Sequence, residues 1–207
     1  MRLILARHGE SLLNVENRYQ GRIETTLSEK GQAQARQLAE GCRNLGATAL
    51  YASPAKRAQQ TAEPVSAATR LPVLVHEGLR EANMGELEGM RHRDAAAKWP
   101  ELDELMRRDM GKVTFPGGES VRDMQERAWR SMFELAERHG DATVLAVSHS
   151  YTIRALVCRV LDLPLSRFES YDLDTVSLTT VNVGPRGARL VALNDTCHLR
   201  ASVPASR

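Results

Sequence analysis

Cysteine is scarce and badly spaced for structural work. It occurs three times in 207 residues, at Cys42, Cys158 and Cys197, with no C-x-x-C pair. An odd number at such separations excludes a disulfide framework and a zinc ribbon. Buried thiols in a reducing compartment are the reading that remains. Lysine supplies only four of the 28 basic residues, and aromatics make up 4% of the chain. Acidic and basic residues are interspersed, so a formal net charge of +2 is spread thinly. With no basic blocks and no interleaved aromatics, nothing resembles a stripe for a nucleic-acid backbone. No apolar run approaches the ~20 residues of a membrane span. The stretch after Met1, Arg2-Leu-Ile-Leu-Ala6, is too short for a signal-peptide core. Repeats, low-complexity tracts and linkers are absent too. A cytoplasmic protein with no membrane or nucleic-acid partner is expected.

What is present is globular. Hydrophobic residues reach 42%, too many for a solvated coil, and a chain of this length buries roughly 70% of its unfolded surface without a staple. Apolar strand-like runs at 3–6, 49–52, 73–75 and 143–147 alternate with helical patterns, which argues for an α/β protein with a parallel sheet. A helix is expected from Ser28 as N-cap to Gly46, with Leu38, Cys42 and Leu45 inward. Another is expected from Ser53, with Pro54 at its first position. Ser120 opens a long helix that buries Val121, Met124, Ala128, Met132 and Leu135 and ends at Gly140. An apolar helix over 152–161 follows, then a hairpin of 176–183 and 189–193 around Gly184-Pro185. The polar stretch 85–118, with helical pieces at 94–99 and 102–109, looks like an insertion over one end of the sheet. The tail 201–207 reads as frayed.

The chemistry-bearing residues sit after strands. Arg7-His8-Gly9-Glu10 follows the first, Ser53-Pro-Ala-Lys-Arg57 the second, and Ser148-His149-Ser150 the most hydrophobic. In an open parallel sheet such groups converge beyond the strand C-termini, where helix amides also point. Two guanidinium forks plus amides suit a phosphate. A neutral imidazole beside them can accept a phosphoryl group, and a second histidine can stabilise charge on its oxygens. Glycine after His8 lets a bulky group approach the backbone. The leaving alkoxide needs a proton, and Glu81, shortly after the 73–75 strand, is the best-placed donor. Glu77, Glu86 and Glu88 compete with it. His76, His92 and His139 are read as surface residues, while His198 is a candidate for framing the substrate pocket.

Together these residues resemble the histidine phosphatase superfamily, also called the phosphoglycerate mutase-like family. Arg-His-Gly-Glu at 7–10 opens the likeness. It continues through Asn14, Tyr19-Gln-Gly21, Leu27-Ser-Glu-Lys-Gly31, Ser53-Pro-Ala-Lys-Arg57, Leu79-Arg-Glu81, Gly118-Glu-Ser120, Ser148-His149 and Asn194-Asp-Thr-Cys-His-Leu199. The resemblance implies a three-layer α/β/α sandwich with a mostly parallel sheet and a small helical cap insertion, residues 1–200 forming one domain. It implies that His8 is the phosphorylated nucleophile and that Arg7, Arg57 and His149 complete the phosphate pocket. Glu81 would be the acid, then the base. Ser11, Asn14, Gln20 and Gly21 would line the phosphate or the entrance, with the Ser150 amide as a further donor. The family uses no metal and no cofactor, in keeping with the lack of a carboxylate–histidine cluster here.

This chain departs from the family in carrying Glu24-Thr-Thr-Leu-Ser28 where relatives often have Asp-x-Pro-Leu-Thr, and Met84 at a variable position that can face the leaving group. Its segment between Glu81 and Gly118 is shorter than in the glycolytic mutases, which favours water as acceptor and hence a phosphatase. The expected substrate is a small phosphorylated metabolite of the phosphoserine or phosphoglycerate type. A phosphoglycerate mutase and a non-catalytic phospholigand-binding module are the rivals. A homodimer through a sheet edge would fit the family.

Overall fold

The computed structural model describes residues 1–199, so the tail at 201–207 lies outside the described residues. Along the chain run β1 (Arg2–Arg7), α1 (Leu12–Val15), α2 (Glu29–Cys42), β2 (Ala47–Ala52), α3 (Lys56–Thr69), β3 (Val73–Val75), α4 (His92–Lys98), α5 (Pro100–Arg108), α6 (Val121–His139), β4 (Thr143–Ser148), α7 (Ser150–Val160), β5 (Leu178–Gly184) and β6 (Gly187–Asp195). The strands form one sheet in the order β3-β2-β4-β1-β5-β6. The first four in that order are parallel, and the β5–β6 hairpin joins β1 antiparallel.

Strand alternation sorts the core into two layers. Leu3 and Leu5 of β1 pack with Tyr51, Val144 and Ala146 against Met132 and Leu135 of α6 and Ile153, Leu156 and Val157 of α7. Ile4 and Ala6 pack with Leu50, Leu145 and Val147 against Leu38 and Cys42 of α2 and Ala58, Ala62 and Val65 of α3. Central parallel strands covered on both faces explain the unbroken apolar runs. A third cluster joins the segment 85–118 to α6 and α7 through Leu87, Ala95, Met110, Val113, Phe115, Met124, Ala155 and Cys158. Among the described residues no helix is long and apolar enough to cross a membrane.

Ser28 caps α2 as expected, its side chain accepting from the Gly31 amide, and α6 carries all five expected residues inward. Several boundaries differ from expectation; α4 and α5 start two residues early, at His92 and Pro100. Helix α2 ends at Cys42, and Leu45 packs on the core from the turn that Gly46, at φ +69°, leads into β2. Helix α3 begins at Lys56 with extended Ala55 as its cap; Pro54 lies outside the helix, and the Ser53 hydroxyl accepts the Ala55 amide at 3.3 Å while also meeting His149. The Lys56 amide is met instead by the Glu24 carboxylate at 3.1 Å. Helix α7 begins at Ser150, two residues early, since its first-turn amides have a tertiary partner described below. Val176 stands outside β5 at φ +54°, where its amide donates to Arg7 O.

The loop after β1 is clamped by close backbone approach. A Cβ on Gly9 would lie 2.7 Å from Gly31 O, so the space beside Gly9 belongs to α2 and is not open for a ligand. A Cβ on Gly31 would lie 1.9 Å from Glu10 O. Gly31→Ala must therefore push α2 away from the residues that follow His8. We expect a loss of about 1–3 kcal/mol, the usual cost of overpacking, read by urea denaturation, together with reduced turnover. Unchanged stability would mean the loop yields freely.

Candidate active site

The register that aligns Arg7 with Ser148 and Ala52 with Val147 brings the three strand-end groups together. His8, 3% exposed, points one ring nitrogen at its own chain: Nδ1 lies 2.7 Å from Gly9 O. A carbonyl can only accept, so Nδ1 carries the hydrogen and Nε2 keeps its lone pair. Arg57 Nε donates to that Nε2 at 3.3 Å. The remaining Arg57 donors reach Gly21 O at 2.7 Å and Ile23 O at 3.2 Å, fixing the loop that carries Gln20. Arg7 Nη1 donates to Leu173 O at 2.6 Å, and its Nε is buried without a partner among the described residues.

His149 is fully buried, its ring centroid 5.2 Å from that of His8. Its Nε2 meets Ser53 Oγ at 2.8 Å, while Nδ1 is buried and unpartnered among the described residues. Ser11 is buried as well. Its hydroxyl accepts from the Asn14 amide and donates to Gln20 Oε1 at 2.8 Å, so it holds two other predicted residues in place.

Glu81 sits on the N-terminus of α7. Tyr151 N donates to Oε2 at 3.0 Å and Thr152 N to Oε1 at 3.1 Å, with Ala82 N adding a third bond at 3.0 Å. Ser148 Oγ donates to Leu79 O at 2.8 Å and ties the segment before Glu81 to β4. With Tyr151 and Thr152 committed to Glu81, Ser150 has the remaining amide of the first turn. Of the competing carboxylates, Glu77 pairs with Arg80 and Glu86 with Lys98, and Glu88 takes the Arg22 and Met84 amides. None of them lines the cavity, whereas Glu81 does.

A cavity of about 150 Å³ opens on these groups. Arg7, His8, Asn14, Gln20, Gly21, Glu81 and Ser150 line it, as does Met84. Arg57, His149 and Ser11 stand behind that wall. Among the described residues no three His, Cys, Asp or Glu side chains are grouped to hold a metal ion.

The family model of the histidine phosphatase superfamily (branch 1) matches residues 3–196. The chain belongs to that superfamily. Phosphoserine phosphatase 1 of Hydrogenobacter thermophilus is 35% identical over 199 residues, covering 96% of this chain and 94% of the relative. The solved structure of Bacillus stearothermophilus YhfR superposes with a TM-score of 0.92 at 30% identity, covering 96% of this chain and 99% of that one. A mycobacterial glucosyl-3-phosphoglycerate phosphatase complexed with VO3 gives 0.86 at 31% identity, covering 94% and 99%. The protein is a phosphatase of small phosphate esters.

Within this histidine phosphatase fold the mouth of the cavity also holds residues that sequence reasoning did not place there. Asn17, Arg18, Tyr19, His92 and Tyr151 all line it. His92, exposed as the sequence reading has it, also lines the cavity, its ring tilted at 46° against Tyr19 with centroids 4.2 Å apart. Backbone bonds Tyr19 N to Met90 O (2.9 Å), Gly89 N to Tyr19 O (2.8 Å) and His92 N to Asn17 O (3.1 Å) join the entrance loop to segment 85–118. The quoted Tyr19-Gln-Gly21 was the available signal for Tyr19; His92 had none. His198 lies elsewhere, against Gly41 of α2, and does not line the cavity. His76 and His139 flank Tyr51, partly buried.

Burial, reinforced by the Arg57 and Arg7 charges, holds the His8 imidazole well below the ordinary histidine value. Burial, then Arg57 and His8, does the same to His149. Both rings therefore stay neutral in the fold at pH values where the unfolded chain protonates them. Below about pH 6.5 the unfolded state binds more protons, so stability falls as pH falls. We expect the melting temperature to drop on acidification from neutral pH to about pH 5.5, and His8→Asn to flatten that drop. Parallel slopes for wild type and variant would contradict it.

Proposed function

We propose that this phosphatase hydrolyses small phosphate monoesters without a metal, through a phosphohistidine at His8 Nε2. One observation carries the reading: the bond from Nδ1 to Gly9 O, which leaves the lone pair on Nε2 as the nucleophile, met only by the Arg57 Nε–H at a long 3.3 Å. In the first half-reaction that pair attacks phosphorus, the ester P–O bond breaks, and the Glu81 carboxyl gives its proton to the departing oxygen. In the second, water attacks the phosphohistidine. Glu81 takes a proton from the water, and the N–P electron pair returns to Nε2 as inorganic phosphate leaves. Arg7 Nε, a buried donor without a partner among the described residues, His149 Nδ1, which carries the hydrogen when Nε2 accepts from Ser53 Oγ, and the Ser150 amide suit phosphate oxygens, since buried polar groups are otherwise satisfied. Gln20 and Asn14 lie at the entrance.

The cavity supports a short leaving group, because drug-sized ligands occupy roughly 300–1,000 Å³. Together with the phosphoserine phosphatase relative, this makes phosphoserine and the phosphoglycerates the first substrates to assay. The proposal includes one domain over 1–200 with 85–118 as its cap. It also includes a cytoplasmic setting, supported by buried Cys42, whose thiol burial pushes up to about 12, and buried Cys158. A homodimer through the sheet edge is supported by exposed Leu74 and Val75 on β3.

Rapid acid-free quench with labelled substrate is expected to trap an acid-labile, alkali-stable phosphoprotein, absent from His8→Ala. Glu81→Gln should lower turnover of alkyl phosphates by at least ~100-fold. Turnover without a labelled protein would overturn the covalent route. Conversion of 3-phosphoglycerate to its 2-isomer in place of phosphate release would assign a mutase, and binding without turnover a ligand-binding module.

A further inference from the structure

The segment that carries Glu81 is gripped from behind by one side chain. Arg127, on α6, donates through Nη1 to Gly78 O at 3.1 Å and Arg80 O at 3.0 Å. Through Nη2 it donates to Glu81 O at 3.3 Å and to Glu119 Oε1 at 2.9 Å. Glu119 Oε1 also accepts the Asn83 amide at 2.7 Å and Arg22 Nη2 at 3.3 Å. A single guanidinium–carboxylate pair thus holds backbone groups at 78, 80, 81 and 83, on both sides of the proposed proton donor. Both partners are largely buried, with side chains 21% and 18% exposed. A buried pair of this kind is weak evidence for stability, because desolvation offsets the attraction. Apart from the Arg22 contact its bonds point at one short segment, so geometry is what it supplies.

We propose that Arg127 and Glu119 form a positioning pair that sets the Glu81 carboxyl within proton-transfer distance of the leaving-group oxygen. The proposal rests on the reading of Glu81 as proton donor. Transfer requires about 2.6–3.2 Å between heavy atoms, and a displacement near 1 Å can cost ~100-fold. Arg127 touches neither substrate nor reacting atoms; it acts through the carbonyls of Glu81's own chain. Lysine cannot substitute, since a single ammonium lacks the planar fork that spans these acceptors. A charge effect is the competing account, because Arg127 is one of the cations that lower His149. Lysine would preserve that effect.

The dependence of kcat/KM on leaving-group basicity separates these accounts. It reports the steps up to phosphoenzyme formation, and the need for a proton grows with the basicity of the departing oxygen. Wild type, Glu81→Gln, Arg127→Met and Arg127→Lys are compared on phosphates ranging from p-nitrophenyl to simple alkyl esters, with melting curves to verify folding. Both Arg127 variants are expected to stay within about 3-fold of wild type on p-nitrophenyl phosphate and to lose ~100-fold on alkyl phosphates, following the steep slope of Glu81→Gln. Should Arg127→Met not fold, Glu119→Gln serves in its place and must steepen the slope in the same direction. An equal loss across the series, or a wild-type slope in Arg127→Lys, would overturn the positioning pair while leaving Glu81 as donor. An unchanged slope in Glu81→Gln itself would remove the donor reading and the pair with it.

Discussion

The hydrogen on His8 Nδ1, committed to Gly9 O, decides what the opposite nitrogen can do. An imidazole free to choose its tautomer would be a nucleophile only part of the time, and a protonated one not at all. Burial and the two neighbouring arginines remove the second possibility, and the carbonyl removes the first. This arrangement needs the backbone after β1 to hold still. That is why Gly9 and Gly31 pack at a distance no side chain allows, and why Gly9 N is itself fixed to Thr61 Oγ1 at 3.0 Å. The glycine beside the nucleophile serves the positioning of the ring more than access for a ligand.

A second constraint is the division of the α7 N-terminus. Its first-turn amides are a ready anion site, yet two of them are occupied by a carboxylate of the protein itself. In the proposed reaction the helix end therefore does two jobs: it orients Glu81 and keeps the Ser150 amide for the substrate. Arg57 is shared in a similar way. One donor faces His8 and two hold the entrance loop, so its replacement would disturb the loop along with the pocket. Fixed donors that need not reorganise during the reaction are where electrostatic catalysis gains most.

Much of this was legible in the chain. The strands declared themselves because burial on both faces makes them continuously apolar. The caps Ser28 and Ser120 follow from local bonding, and the three strand-end motifs converge because parallel strands leave no other arrangement. What escaped was non-local. Ser53 has every local mark of an N-cap, yet the helix begins at Lys56 and a histidine 96 residues away also meets the Ser53 hydroxyl. His92 becomes a cavity wall only because residues 17–19 pair with 89–92 across the mouth, a contact with no periodicity to betray it. His198, conversely, belongs to a quoted motif yet packs on α2.

The phosphate end of the cavity is built by elements with strong local signals and is buried, so few side chains can change without losing the chemistry. The opposite end, proposed to face the leaving group, is built from two surface segments held by a few backbone bonds and the tilted Tyr19–His92 ring contact. Side chains there can be exchanged while those main-chain bonds persist, because the bonds do not depend on side-chain identity. Selectivity can thus diverge on a constant reaction centre. Met84 marks the boundary between the two regimes: it is buried, it lines the cavity, and it lies three residues after the carboxylate proposed as proton donor. A change of substrate that alters the leaving oxygen's position must therefore be accommodated at 84 without moving 81, and the bonds gripping 78–83 from α6 make that separation physically possible.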